Sequence, residues 1–239
     1  MAQQGIQKSK LGISTFSQTM ADYDALRDGA LLSRRTYNLI MGACLLWGFA
    51  INVIMCASLG SNKAFMTFAT SHMWVILIAY LVLAFVGIFI NAKSTNPAIS
   101  FVGYNLIVLP LGLALTVIVA MYPVLSVMYA FVATAGVTVV MLVVSTAKPE
   151  FFFKISRSLF IALIAAIIIE VVLTLVTGAH LGIFDWIIAL IFCGYIGYDW
   201  ARSQSVPSTL DNAIDCACAL YIDIVNLFIR ILEIVGNEK

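Results

Sequence analysis

Charge is what this sequence has least of. Asp, Glu, Lys and Arg make up 10% of its 239 residues, where a soluble globular chain carries about a quarter. Hydrophobic residues reach 62% and the mean hydropathy is +1.04. No soluble core hides that much apolar surface, so a soluble protein is excluded and an all-α, polytopic helical membrane protein is expected. The net charge of +1 gives no footing for a nucleic-acid partner. Cysteine is sparse as well. Cys44, Cys56, Cys193, Cys216 and Cys218 lie in apolar stretches without paired or metal-like spacing, so neither a disulfide framework nor a zinc site is supported. Cys216 and Cys218 are two apart and point to different faces of a helix. A secretory signal is lacking too, because residues 1–35 are polar and the first apolar run begins only after Arg34-Arg35. No internal repeat is visible.

What is present is a series of long apolar runs. Spans are expected at about 37–59, 72–90, 98–121, 124–146, 159–177 and 181–200, with a seventh at 208–236. Residues 1–35 form a polar tail, and residues 36–239 form one seven-helix membrane domain. Pro97 and Pro123 suit helix starts, and Pro110 predicts a kink inside the third span. The segment from Ala147 to Arg157 reads as a basic loop. Basic residues set the orientation. With the N-terminus in the cytoplasm, the inner segments hold Lys8, Lys10, Arg27, Arg34, Arg35, Lys93, Lys148, Lys154, Arg157 and Arg202, leaving Lys63, Arg230 and Lys239 outside. A bacterial plasma (inner) membrane fits best, with the endoplasmic reticulum or another intracellular membrane as the alternative.

The last span is unusual. At 100° per residue with Asp211 as zero, Asp215 and Glu233 fall at about 40° and Asn226 at about 60°. Asn212 and Arg230 follow at about 100°, and Asp223 at about 120°. One third of the wheel is therefore polar, and it must face protein or water because charge facing lipid is expensive.

Two buried acids stand out, Asp199 ending the sixth span and Asp223 in the middle of the seventh. Two carboxylates in a low dielectric cannot both stay charged without a cation between them. Such a pair is either a shared-proton switch or a place for a hard cation such as Ca²⁺, unless Arg202 and Arg230 pair with the acids as structural glue. Hairpin spacing alone, with a turn near Val206, sets Asp199 opposite Ala213 and favours Asp215 as its partner. Glu170, in the middle of the fifth span, either lines a pore or bonds to a neighbouring helix. Asp185 and His180 read as solvated, and His72 as interfacial. Tyr104 and Asn105 are candidates to face the last helix.

The run Gly197-Tyr198-Asp199, with Leu220-Tyr-Ile-Asp-Ile-Val-Asn-Leu-Phe228 and the Arg35-Thr36-Tyr37 entry to the first span, resembles the Bax inhibitor-1 family. The resemblance implies a seven-helix bundle with the last helix central. It also implies a pH-sensitive calcium leak whose sensor is an aspartate pair, here Asp199 and Asp223, and so prefers Asp223 over Asp215. Asp211 and Asp215 then become support at the cytoplasmic end, with Asn226 on the same stripe and Arg230 a counter-charge towards the other end. Some members close the gate with a basic residue at the inner end of the second span, where this chain has Lys93.

Three functions follow. The first is the passive Ca²⁺ pathway, with Ca²⁺ as the transported or bound ion and no cofactor. The second is a non-transporting regulator that binds other membrane proteins, such as cell-death effectors or a membrane protease. The third, an intramembrane aspartyl protease, needs a GxGD sequence around the second acid and a later PAL. Both are missing, so no enzyme is expected.

Overall fold

The structure, a computed structural model, describes residues 31–178 and 181–237. Residues 1–30, most of the expected tail, lie outside the described residues, as does His180. The described chain is helical throughout: α1 (Arg34–Leu59), α2 (Lys63–Ser71), α3 (Met73–Lys93), α4 (Pro97–Ala120), α5 (Val124–Ala147), α6 (Pro149–Thr177), α7 (Ile183–Ser205) and α8 (Leu210–Asn237). Among the described residues, α1 and α3–α7 are each long and apolar enough to cross a membrane.

Local sequence sets most boundaries. Ser33 caps α1 by accepting a bond from the Thr36 N–H, and Asn96 caps α4 through the Ala98 N–H. Pro97 and Pro149 begin their helices, where a missing N–H leaves nothing unsatisfied. Gly178, at φ +69°, ends α6 in the left-handed region that glycine adopts freely.

Three boundaries differ from the sequence expectations. α1 starts at Arg34, inside the stretch assigned to the tail. The loop expected at 147–157 is mostly helix, because Pro149 fits the first helical position and Glu150 complements the helix dipole. Only Lys148 separates α5 from α6. The segment before α3 forms the short helix α2, capped by Asn62. Pro110 lies inside α4, as expected.

α8 packs against α1, α4, α5 and α7. On one side Tyr104, Ile107 and Leu111 of α4 meet Ile214, Tyr221 and Val225 of α8. On the other, Ile188, Phe192 and Ile196 of α7 meet Ala217, Leu220 and Leu227. From Asp211 to Gly236 no residue of α8 is exposed. The other long helices turn large apolar side chains outward, among them Trp74, Phe85, Phe131 and Leu175. A surface of that kind is solvated by lipid, not by water.

The start of α1 is tied to the α7–α8 connection. Arg34 donates to the carbonyls of Ser203 and Val206, the latter at 2.8 Å, satisfying acceptors that the end of α7 leaves free. The Leu32 N–H donates to the Ser208 carbonyl at 2.7 Å, and Gln204 donates to Asn38 at 3.1 Å. We call this the hairpin end of the bundle, and the opposite end the far end.

Candidate functional site

The polar stripe of α8 faces protein along its length and divides into three levels. At the middle level Asp199 of α7 and Asp223 of α8 bring their carboxyl groups within hydrogen-bonding reach of one another. Asp223 is 6% exposed, and its Oδ2 is buried without a hydrogen-bond partner. Asp199 is also close to Arg202, at 4.0 Å, although the arginine side chain is half exposed. Tyr195, one turn before Asp199, lies near both acids. Helix side chains tilt towards the N-terminus of their own helix. Because α7 and α8 run antiparallel, that tilt aims Asp199 away from the hairpin and Asp223 towards it. That tilt closes a part of the offset between them, and the carboxyl that Asp199 meets is that of Asp223, not of Asp215, which residue counting from the turn favoured.

Towards the far end, Arg230 draws three acids together. Its Nη1 lies 3.0 Å from Glu170 of α6, 2.7 Å from Asp185 of α7 and 3.1 Å from Glu233 of its own helix. Its Nη2 donates to the second Glu170 oxygen at 3.1 Å, making that pair a two-bond fork. Glu170 is thus an ion-paired tie between helices. Asp185 corrects the sequence reading: it is fully buried, because Arg230 reaches it from α8. Nothing near Asp185 in sequence foretells that partner.

At the hairpin end, Asp211 is buried and accepts a 2.6 Å bond from Ser100 of α4. Asp215 is half-buried, with its Oδ1 buried and unpartnered. Asn226 donates to the Ile222 carbonyl one turn back. Lys93 is exposed in the last turn of α3 and pairs with neither Asp199 nor Asp223. Of the aromatic candidates, Tyr104 does face α8, meeting Tyr221 edge-on at 5.5 Å. Asn105 instead accepts a bond from Trp47 of α1. His72 bonds to the Phe68 carbonyl and stacks on the Phe68 ring.

The sequence reading missed Asn52 of α1, whose amide donates to the Tyr221 hydroxyl at 2.6 Å within the core. It also missed Asn91 of α3, which is 8% exposed. A polar amide inside an apolar run was the available signal for each.

Apolar helices enclosing a buried ionisable stripe define a polytopic integral membrane protein. The chain belongs to the Bax inhibitor family: the family model described as "Inhibitor of apoptosis-promoting Bax1" matches residues 30–239. An uncharacterized protein of Helicobacter pylori is 28% identical over 225 residues, covering 90% of this chain and 91% of its own length. The inner membrane protein YbhL of Escherichia coli is 28% identical over 138 residues, 54% of this chain and 59% of YbhL. The Arabidopsis thaliana protein LIFEGUARD 1 is 38% identical over 82 residues, 31% of this chain and 34% of its own.

Proposed function

We propose that this protein is a passive Ca²⁺ leak gated by pH through Asp199 and Asp223, and not an enzyme. The observation that carries this reading is the meeting of two buried carboxyls between α7 and α8. With one proton between them the acids bond and hold the two helices together. Without it they repel, unless a cation takes the proton's place. Either change acts on α8, which packs against α1, α4, α5 and α7, so a local protonation becomes a shift of the bundle. Two carboxylates supply at most four oxygens, and Ca²⁺ takes about six to eight. That suits a transient stop on a path better than a storage site.

The reading includes α8 as a seventh, central crossing. Its 28 residues span about 42 Å at 1.5 Å per residue, enough for a hydrocarbon core of about 30 Å. The N-terminus and the hairpin end then lie in the cytoplasm, where the basic residues concentrate, and the membrane is a bacterial inner one, as the name of the inner membrane protein YbhL says of that relative.

The test is flux from liposomes loaded with a Ca²⁺ dye, followed against pH. Wild-type protein gives a pH-dependent flux, and Asp199→Asn and Asp223→Asn flatten the profile. Flux equal to that of empty liposomes at every pH sinks the leak and leaves a regulator of other membrane proteins. Loss of pH dependence in Asp215→Asn alone moves the switch to that residue.

A further inference from the structure

The far and middle levels stand on one side of α8. Arg230 follows Asp223 at about 10 Å along the helix axis and about 20° around it. Asn226 lies between them and is half-buried. An approach to the carboxyl pair along the stripe from the far end therefore has to pass Arg230.

Arg230 is held there by more than one helix. Its fork to Glu170 reaches α6, a helix that packs on α5 and α7 rather than on α8. Its bond to Asp185 adds the start of α7. Tyr122, in the connection between α4 and α5, lies near both Asp185 and Glu233. Its ring rests on Gly236, where any Cβ would collide with it, and so covers the end of α8.

Exposure grades across the cluster. The Asp185 side chain is 1% exposed and that of Glu233 is 26% exposed. Turning charge to lipid is expensive, so the open edge faces water. Behind it is the closed middle level, where Asp223 is buried. A tie that only held helices together could stand at any level of the bundle. This one stands on the polar stripe, between the carboxyl pair and the water.

We propose that the Arg230 cluster is the far-side gate of the Asp199–Asp223 pair. While Arg230 holds Glu170 and Asp185, α6 and α7 stay closed on α8, and solutes from the far side do not reach the pair. Release of Glu170 lets α6 move away, and the stripe opens from the far end towards Asp223. That the gate regulates ion passage rests on the leak reading; the closure itself does not.

The experiment is labelling of full-length protein in nanodiscs with a water-soluble maleimide, with the sites located by mass spectrometry. Asn226→Cys places a thiol between the pair and the cluster. Native Cys218, buried on the hairpin side of the pair, is the internal reference. The readout is the labelling rate at position 226 relative to that of Cys218. Glu170→Gln and Asp185→Asn are each expected to raise this ratio about tenfold, as loss of a bond to a charged group shifts the closed–open balance. A ratio that neither variant raises overturns the gate. So does a ratio that falls towards one because the chain has unfolded, since the cluster is then a structural tie only. In dye-loaded liposomes the same two variants should pass Ca²⁺ faster than wild type. A raised ratio without Ca²⁺ flux in any of these proteins keeps the closure and sinks the leak. An unchanged ratio beside pH-dependent wild-type flux keeps the leak and sinks the gate.

Discussion

Arg230 of α8 and Asp185 of α7 form a 2.7 Å ion pair between a guanidinium that is mostly buried and a carboxylate that is fully so. Glu170 and Glu233 share the same nitrogen. Removing the cation leaves three acids without their common partner. Arg230→Met is expected to destabilise the bundle by about 3–5 kcal/mol, the range for breaking a buried pair from one side. Thermal unfolding in detergent measures it, and Asp185→Asn in the Arg230→Met protein should recover part of the loss. An unchanged midpoint in Arg230→Met would show the cluster to be energetically idle.

The Asn52–Tyr221 bond is short, buried and joins α1 to α8. Tyr221→Phe keeps the ring packing against Phe49 and Tyr104 and removes only the hydroxyl. The stranded amide should cost about 1–3 kcal/mol. Asn52→Leu in the Tyr221→Phe protein removes that amide, so the double variant should lose less than the two single changes summed.

Gly48 of α1 lies under the Tyr104 hydroxyl and the Tyr221 ring, and a Cβ there meets both. Gly48→Ala should overpack this contact at about 1–3 kcal/mol. Gly42, one helix face away, has open space around it, and Gly42→Ala should be neutral or mildly stabilising. Equal midpoints for the two variants would contradict the packing described.

Arg34 holds two carbonyls at the end of α7. Arg34→Gln should loosen the α7–α8 connection without unfolding the bundle. Limited proteolysis within residues 206–209 is expected to speed up several-fold, with little change in the thermal midpoint.

Hydropathy made the long apolar spans legible because lipid imposes length and composition on each helix separately. It could not show α2, or the first turns of α6, where caps and a proline matter more than apolar content. The polar stripe of α8 was legible from period alone. Its partners were not, because each belongs to another helix and depends on where that helix ends and which way its side chains tilt. Asp185 shows this most plainly: near a span end it reads as wet, until Arg230, 45 residues later, is placed beside it. Asp199 shows the reverse, since counting from the turn led to Asp215 and the structure sets it against Asp223.

No residue of α8 between Asp211 and Gly236 is exposed, and α8 follows in sequence every helix it packs against. Its acids and Arg230 thus leave the ribosome when α4, α6 and α7, which hold their partners, already exist. Until then Glu170 and Asp185 lack the Arg230 guanidinium, and Ser100 lacks its Asp211 acceptor. The helices before α8 thus carry polar groups whose α8 partners come later in the chain. A chain cut short before α8 lacks Arg230 and Glu233 at the far level and Asp223 at the middle one.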